Sequence, residues 1–290
     1  MKIGVFGSEC KENKLPVIKG LFDKLSHLDT EIYIQSSYYD FLKASFDYTP
    51  KTSGIIECEG VELDIALSVG GDGTFLRTAL QIGKQNIPIL GINTGRLGFL
   101  ADVSSNQIDE TLEELLRGDY RIEERTLLRL HTDGHIFSGF NYALNEIAIL
   151  KRDTSAMITI HAYLNDDYLT SYQADGLIIA TPTGSTAYSM SVNGPILLPQ
   201  NRNFILSPVA PHSLNVRPLV IPDDYTITLN VESRTNSFLS SLDGRSEDIS
   251  VGNILKISRA EFKIRVINRF NHTFYQTLRE KLMWGKDARS

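Results

Sequence analysis

Short apolar runs alternate with longer connecting segments up to about residue 120, and this alternation constrains the fold more than any other feature of the chain. The runs are KIGVFG, EIYIQ, DIALSVGG and IPILGIN. Nearly continuous apolar runs are typical of strands buried on both faces, and connectors long enough to hold a helix join parallel strands. The first part of the chain is therefore predicted to be an α/β domain, Rossmann-like, with a parallel sheet.

One connector has a particularly clear helical pattern. The segment NQIDETLEELLRGD places Ile108, Leu112, Leu115 and Leu116 on one face of a helix, and Gly118 stands where that helix should end. Apolar residues three and four positions apart form a single buried stripe, and glycine commonly terminates a helix. This segment is predicted to pack as a helix on the sheet.

The pattern changes near Glu124. The segments TLLRLHTDGHIFSGFNYALNEIAIL, MITIHAYLNDDYLTSY and YTITLNVESRTNSFLSSLDG are rich in strand-forming residues, with turn pairs at Asp133-Gly134 and Asp243-Gly244. Asp-Gly between two such runs favours a tight hairpin. This half is predicted to be an antiparallel, β-rich, sandwich-like domain.

A final helix is predicted over FYQTLREKLMW, ending at Gly285 and docking on the body of the protein. Its Phe274, Leu278 and Leu282 lie on one side, with Trp284 as a further candidate for the same side. The predicted domains are an α/β domain over residues 1–123, a β-rich domain over residues 124–270 and a C-terminal helix over residues 271–290.

The charge and composition of the chain argue against several classes of partner and site. The formal net charge is -6, and no run of Lys or Arg is present. A main partner that is nucleic acid or an anionic membrane is therefore not expected. Cys10 and Cys58 form no CxxC motif, which argues against a thiolate zinc site or a disulfide scaffold. With no apolar run of membrane-spanning length, the expectation is a soluble, cytoplasmic protein.

Asp72 lies between two glycines in VGGDGTFLRTAL, where an apolar strand gives way to a helix. Open α/β sheets bind ligands at the carboxyl ends of their strands, so Asp72 is expected to face a crevice. The alternative is a helix cap or a turn residue, which is common for Asp beside Gly.

A second stretch, GINTGRLGFLADV, contains three spaced glycines, Gly91, Gly95 and Gly98. It is expected to bend tightly near the same edge.

Two further stretches carry polar groups in otherwise apolar surroundings. In ALNEIAI, the amide of Asn145 can hydrogen-bond to the edge of a purine, and Glu146 can accept hydrogen bonds from ribose hydroxyls. The alternative is that the pair lies at the solvated end of a strand. In ADGLIIATPTGSTAYSMSVNGP, hydroxyl residues and glycines follow a strand and precede a predicted helix. Their N–H and hydroxyl groups are expected to bind phosphate or adenylate oxygens, and a purely structural capped helix start is the alternative.

Taken together, these motifs resemble the ATP-dependent NAD kinase family. The resemblance rests on GGDGT at 70–74, GINTGRLGFL at 91–100, NE at 145–146 and DGLIIATPTGSTAYS at 175–189. PHSLNVRPLVIP and FYQTLREKLMWG extend it over nearly the whole chain. GGDGT alone is shared with lipid kinases and, loosely, with phosphofructokinases. The chain departs from the family at SVNGP, where Asn193 stands in place of a glycine.

The resemblance implies transfer of the γ-phosphoryl of ATP to the 2′-hydroxyl of the adenosine ribose of NAD, with a divalent metal ion, Mg²⁺, arriving with ATP. It implies that Asp72 accepts the hydroxyl proton, that Asn145 and Glu146 hold the adenosine, and that Asp175 meets the nicotinamide end. It further implies a homodimer or homotetramer, and a C-terminal helix that returns to the first domain. The other nucleotide-binding positions implied are Gly73, Arg77, Ala156, Gln173, Thr186, Ala187, Tyr188, Ser189, Met190, Ser191, Ala210 and Arg245.

Among these positions, Arg77 is a candidate phosphate contact, and Arg245 is either a ligand contact or a solvated hairpin residue. Two other functions remain open at this point. A lipid or sugar kinase would share GGDGT but would not need the NE and TPTGSTAYS motifs. A dinucleotide sensor without catalysis would keep the pocket but would gain little from Asp72.

Overall fold

A computed structural model describes residues 1–57, 61–132, 137, 140–152 and 156–285. The chain divides into two compact units. The first comprises Met1–Glu124 together with Ile264–Ser290, and the second is Arg125–Lys263. No helix in the described part of the chain combines the length and the apolarity required to cross a bilayer.

The first unit contains a parallel sheet, as predicted. Its elements, with the helices between them, are β1 (Lys2–Gly7), α1 (Leu15–Ser26), β2 (Glu31–Gln35), α2 (Ser36–Phe46), β3 (Gly54–Ile56), β4 (Ile65–Gly70), α3 (Asp72–Ile82), β5 (Ile89–Asn93) and α4 (Ile108–Arg117). The strand order is β3-β2-β1-β4-β5, and all four pairings are parallel. The four apolar runs form β1, β2, β4 and β5, whereas β3 was not predicted because its three residues form no recognisable run.

Helix α4 is the connector with the clear helical pattern, and it ends at Gly118, whose φ of 74° is left-handed. Three of its four predicted apolar residues are buried, but Leu116 is 43% exposed, so its placement on the buried face was wrong. Glu114 is buried instead, because its carboxylate accepts a hydrogen bond from Nε of Arg269 at 2.7 Å. The buried face of α4 therefore includes the ion pair of Glu114 and excludes Leu116, which lies on the opposite edge.

The second unit is made of two antiparallel sheets around one apolar core, which confirms the predicted class. The elements of the rest of the chain are β6 (Tyr120–Thr132), β7 (Tyr142–Ala143), β8 (Glu146–Leu150), β9 (Ile158–Leu164), β10 (Asp167–Ala174), β11 (Gly176–Ala180), α5 (Tyr188–Ser191), β12 (Asn203–Val209), β13 (Leu219–Pro222), β14 (Ile227–Glu232), β15 (Ser237–Leu242), β16 (Arg245–Ser250), β17 (Leu255–Arg269) and α6 (Phe274–Leu282). One sheet of this unit has the order β13-β12-β11-β8-β15-β16, and the other contains β10-β9-β14-β17.

The Asp243-Gly244 pair forms the two-residue turn between β15 and β16, as predicted. Their φ values of 48° and 84° are both left-handed, which is the backbone conformation that a tight hairpin of this kind requires. The other predicted turn, Asp133-Gly134, lies outside the described residues.

Helix α6 belongs to the first unit. It begins with a capping box at Thr273 and stops before Met283, whose φ of 55° is left-handed, rather than at Gly285 as predicted. Leu278 is buried, whereas Trp284 is 57% exposed and does not lie on the docking side. The docking side of α6 therefore carries Leu278, and the part of the predicted segment after the helix is exposed.

Candidate active site and nucleotide site

Asp72 is the first residue of α3 and lies at the carboxyl end of β4. Its Oδ2 accepts the N–H of Phe99 at 2.9 Å, and its Oδ1 accepts the N–H groups of Leu100 at 2.9 Å and Ala101 at 3.0 Å. Lys281 Nζ donates to Oδ2 at 3.0 Å. No side chain caps α3. Asp72 is therefore neither a helix cap nor a simple turn residue, because its carboxylate is held by a distant loop and a distant helix.

The surroundings of Asp72 determine its ionisation. Burial alone would raise the pKa of this carboxyl group. The hydrogen bonds from the N–H groups of Ala101, Phe99 and Leu100, together with the positive charge of Lys281, outweigh that effect and lower the pKa below its ordinary value. Asp72 is therefore ionised at neutral pH and can accept a proton.

The loop that holds Asp72 follows β5, and it is the stretch that the sequence predicted to bend near this edge. A Cβ atom at Gly98 would lie 2.0 Å from Oδ1 of Asp72, so no larger residue fits there. Asn93 stabilises the loop, because its Nδ2 donates to the carbonyl oxygen of Ala101 at 3.3 Å and to that of Arg96. Asn93 is buried and was not singled out from the sequence, although it is the last residue of an apolar strand.

A cavity of about 240 Å³ opens beside the N-terminus of α3. The lining includes Ser8, Gly71 and Thr74, two lysines, Lys11 and Lys14, and one acidic residue, Glu9. The uncapped N-terminus of a helix attracts anions, and two ammonium groups add to that attraction. The cavity therefore suits a phosphate chain. Its lysines were missed in the sequence, although both lie in the short connection between β1 and α1, at the same sheet edge.

Two predicted residues lie near this cavity. A Cβ atom at Gly73 would meet nothing within 4 Å, so this position leaves open space at the start of α3. Arg77 is exposed one turn further along α3, and its Nη2 lies 3.5 Å from Oγ1 of Thr74. Thr74 also shares a hydrogen bond of 2.8 Å with the hydroxyl of Ser8. These contacts place the guanidinium on the side of the helix that carries Thr74.

In the second unit, Asp243 positions the Asn145-Glu146 pair. Its carboxylate accepts the N–H groups of Leu144 at 2.6 Å, Asn145 at 2.8 Å and Glu146 at 3.0 Å. The sequence indicated only a turn at Asp243, because the contact joins residues 98 positions apart in the chain. The hairpin turn thus also sets the backbone of the predicted adenosine-binding pair.

Glu146 is a buried carboxyl group with a raised pKa. Burial and the nearby charge of Asp243 raise its pKa to about 8, against a smaller opposing effect from the N–H of Tyr188. Its Oε2 has no hydrogen-bond partner among the residues that the structure describes. At neutral pH Glu146 is therefore protonated and holds a buried polar oxygen that a ligand hydroxyl could satisfy.

Asp243 is the charged member of this pair. Burial raises the pKa of Asp243 above its ordinary value, although the three N–H groups that it accepts and the positive charge of Arg245 act in the opposite direction. Three short N–H bonds fit a carboxylate rather than a carboxylic acid. The proton of the pair therefore resides on Glu146 and the negative charge on Asp243.

The TPTGSTAYS segment packs directly against the Asn-Glu pair. Thr181 donates its N–H to the carbonyl oxygen of Asn145 at 2.9 Å and its hydroxyl to that of Leu144 at 2.6 Å. A Cβ atom at Gly184 would lie 2.1 Å from the carbonyl oxygen of Asn145, so this approach requires glycine. The structure thus brings together two motifs that the sequence analysis treated separately.

The helix predicted after this segment is shorter than expected, and two of the buried serine hydroxyls bond within the protein. A 3₁₀ turn (Thr183–Thr186) precedes α5, which is a single turn. Ser185 Oγ donates to the carbonyl oxygen of Pro182 at 2.7 Å, and Ser189 Oγ lies 3.1 Å from Oγ of Ser207. Because buried hydroxyl groups satisfy one another and the backbone, the hydroxyls of these two serines already have partners within the protein.

The neighbouring predicted positions keep some contact with solvent. Tyr188 is 38% exposed. Ser191 is exposed, and the remaining three, all partly buried, are Thr186, Ala187 and Met190.

The remaining predicted positions lie elsewhere in the second unit. Asp175 pairs with Nζ of Lys151 at 2.7 Å. Ala156 and Gln173 both line an open cavity of about 610 Å³. Ala210 is exposed and adopts a φ of 44°, which is unusual for a residue with a side chain.

Arg245 is not a solvated hairpin residue. Its Nη1 donates to the carbonyl oxygen of Phe140 at 2.8 Å, and its Nη2 donates to that of Tyr142 at 2.6 Å. Burial lowers the pKa of this guanidinium, while the charges of Asp243 and Glu247 act in the opposite direction. Arg245 therefore binds the backbone within its own unit.

Comparison with known proteins gives a consistent result. The model of the ATP-NAD kinase N-terminal domain matches residues 14–120, and that of the ATP-NAD kinase C-terminal domain matches residues 144–269. An NAD kinase of Bacteroides fragilis is 50% identical over 289 residues, which cover 100% of both chains. An NAD kinase of Porphyromonas gingivalis is 50% identical over 288 residues, which cover 99% of both chains.

Two solved structures share the fold. A yeast NADH kinase complexed with NADH has a TM-score of 0.86 at 22% identity, with 99% of this chain and 89% of that chain covered. An NAD kinase from Archaeoglobus fulgidus in complex with ATP has a TM-score of 0.72 at 24% identity, with 98% of each chain covered. Because the two domain models together match most of the chain and the bacterial relatives match all or nearly all of it, the chain belongs to the ATP-NAD kinase family.

Proposed function

We propose that this protein is an NAD kinase, which transfers the γ-phosphoryl group of ATP to the 2′-hydroxyl of the adenosine ribose of NAD and so forms NADP. One observation carries the proposal. An ionised carboxylate, Asp72, is held by three backbone N–H groups, and a cavity suited to phosphates lies at the N-terminus of the same helix. Phosphoryl transfer to a hydroxyl needs these two features, a proton acceptor and a site for the phosphate charge.

In the proposed reaction, Asp72 accepts the proton of the 2′-hydroxyl as the hydroxyl oxygen forms its bond to the γ-phosphorus. The bond between that phosphorus and the oxygen that bridges it to the β-phosphate breaks, and ADP leaves. The N–H groups of Phe99, Leu100 and Ala101 orient the carboxylate. A carboxylate whose pKa is lowered is a modest base, so its contribution depends on this orientation as much as on proton affinity.

The phosphates of ATP are proposed to occupy the cavity beside α3. Lys11 and Lys14 lie in its lining and supply positive charge, and Arg77 is exposed close by. The open space at Gly71 and Gly73 lets phosphate oxygens approach the start of the helix.

Asn145 and Glu146 are proposed to hold the adenosine part of NAD. The unpartnered Oε2 of Glu146 fits a ribose hydroxyl, because that hydrogen bond would satisfy a buried polar atom. Tyr188, whose N–H interacts with Glu146, is proposed to line the same pocket. Asp175 is proposed to meet the nicotinamide end. Further proposed NAD contacts are Ala156, Gln173, Thr186, Ala187, Ser189, Met190, Ser191, Ala210 and Arg245.

Mg²⁺ is proposed to arrive as part of the ATP substrate. Within the described residues, no cluster of three or more His, Cys, Asp or Glu side chains could hold a metal ion. Mg²⁺ at nucleotide sites is usually held by substrate phosphates and water with one or two carboxylates, so the absence of a dedicated cluster fits this role. The ion would supply neutralisation of phosphate charge, and the carboxylates available near the proposed phosphate cavity are Glu9, which lines it, and Asp72, at the start of the adjoining helix.

The protein is proposed to work in the cytoplasm as a homodimer or homotetramer, as its family resemblance implies. Light scattering coupled to size-exclusion chromatography measures the assembly directly. A mass equal to one chain of 32.5 kDa would contradict the proposed oligomer.

The test of the function is whether the purified protein forms NADP from Mg²⁺, ATP and NAD. The NADP formed is detected with an NADP-specific dehydrogenase. The matched variant is Asp72→Asn, which keeps size and removes basicity. We expect its turnover to fall on the order of a hundredfold or more while NAD binding, measured by calorimetry, is largely kept. Near-normal turnover in Asp72→Asn would refute the role of Asp72. Phosphorylation of a lipid or hexose without NADP formation would identify a lipid or sugar kinase, and NAD binding without any product would identify a sensor.

A further inference from the structure

Lys281, in the last turn of α6, contacts the carboxylate that is proposed to accept the proton. Its Nζ lies 3.0 Å from Oδ2 of Asp72 and 4.5 Å from the ring centroid of Phe99. The two charged residues are 209 positions apart in the chain. The side chain of Lys281 is about one-third exposed, which leaves its ammonium group accessible to a bound substrate.

The packing of α6 holds this lysine in place. The ring of Phe274 lies against that of Phe99, with centroids 6.0 Å apart, and Leu278 is buried. Just before the helix, Nε2 of His272 lies 2.8 Å from Oγ1 of Thr277. Phe99 also supplies one of the N–H groups that hold Asp72. The ammonium group is therefore delivered by a helix that packs on the same loop that orients the carboxylate.

The distances place Lys281 within reach of the reacting atoms. A hydroxyl that donates to Oδ2 of Asp72 would lie about 2.7 Å from that oxygen. Because Nζ is 3.0 Å from the same oxygen, the ammonium and the hydroxyl oxygen cannot be farther apart than about 6 Å. The phosphoryl group is bonded to that hydroxyl oxygen after transfer, and its own oxygens extend further. A lysine on a flexible four-carbon stem reaches them without movement of the helix.

We propose that Lys281 is a catalytic residue, whose ammonium neutralises Asp72 in the free protein and contacts the transferring phosphoryl group during the reaction. This inference rests on the proposed kinase function. Lys281 keeps its proton throughout, since the hydroxyl proton goes to Asp72 and the ammonium only exchanges one anionic oxygen for another. As the phosphoryl group draws the ammonium away, Asp72 becomes a stronger base at the moment when a proton must be accepted.

The experiment compares Lys281→Met with Lys281→Arg and with a control, Arg279→Met, which removes an exposed cation from the same helix. For Lys281→Met we expect kcat to fall about a hundredfold, the typical loss for one preorganised electrostatic contact, with the KM for NAD within a few-fold of wild type. Lys281→Arg should retain more activity than Lys281→Met, and Arg279→Met should behave as wild type.

Two further readouts separate catalysis from a structural role. Without Lys281 the pKa of Asp72 rises, so the acid limb of the profile of kcat/KM against pH should move to higher pH. In Lys281→Ala, added ethylammonium should restore part of kcat by occupying the vacated position. These readouts stay informative even if a variant is less stable, because lost stability alone produces neither effect.

The outcomes distinguish the two proposals. A wild-type protein that forms no NADP refutes the kinase function itself. If wild type is active and Lys281→Met has a normal kcat, the role of Lys281 is refuted while the kinase function stands. A slow Lys281→Met variant with an unmoved acid limb and no rescue of Lys281→Ala by amine also overturns the catalytic role.

Discussion

Replacing Glu146 by Gln should make the protein increasingly more stable than wild type as the pH rises from 5 to 8. In the folded protein the pKa of Glu146 is raised to about 8 by burial and by the charge of Asp243, whereas an unfolded glutamate titrates near 4.5. Between these two values the unfolded chain has lost the proton that the folded chain keeps. The folded state binds more protons, so the free energy of unfolding falls as pH rises through this window.

The difference between the two pKa values sets the size of the effect. It corresponds to on the order of 3–5 kcal/mol, lost progressively between about pH 4.5 and pH 8. Glutamine has nearly the same shape and cannot ionise, so the variant does not undergo this loss. The stability difference between Glu146→Gln and wild type should therefore be small at pH 5 and approach that figure at pH 8.

Urea unfolding followed by circular dichroism at pH 5, 6, 7 and 8 measures this difference. Asp167→Asn is a matched control, since Asp167 is an exposed acid on a strand of the same unit. Because two units can unfold in separate transitions, the comparison uses the midpoint of the unfolding transition that the mutation shifts. A stability difference that stays constant from pH 5 to pH 8 would show that Glu146 is already ionised, and the reasoning from its burial would be refuted.

Two further predictions concern ligand binding and the Asp72 loop. Asn145→Ala should raise the NAD concentration for half-saturation about three- to tenfold with little change in kcat, because one hydrogen bond to the adenosine is lost; an unchanged NAD dependence would place adenine recognition elsewhere. Gly98→Ala should nearly abolish turnover and lower the free energy of unfolding by about 1–3 kcal/mol, because its Cβ would lie 2.0 Å from Oδ1 of Asp72. In the control Gly20→Ala, the Cβ meets nothing within 4 Å on α1, so the same measurements should show unchanged turnover and a gain of about 0.5–1 kcal/mol. Normal activity in Gly98→Ala would show that the loop does not need its close approach to Asp72.

The sequence alone determined the class of each half and the positions of the main motifs. Continuous apolar runs in the first half predict strands that are buried on both faces, and they form parallel strands such as β1 and β4. Alternating apolar residues in the second half predict strands that are buried on one face, and they form the antiparallel sheets. Asp72 was recognised because its motif places a carboxylate at a strand end. Such features are local, since they depend only on residues a few positions apart.

Contacts between distant residues were decided by the tertiary structure. Lys281 donates a hydrogen bond to Asp72, which is 209 positions away in the chain. Asp243 accepts the N–H of Asn145, which is 98 positions away. Burial likewise decided that Glu146 carries a proton at neutral pH. No local period encodes such pairs, because they form only when separate elements pack against one another and bury their polar groups together. The motifs could therefore be found from the sequence, but the charge and orientation of their side chains depend on the surroundings that folding supplies.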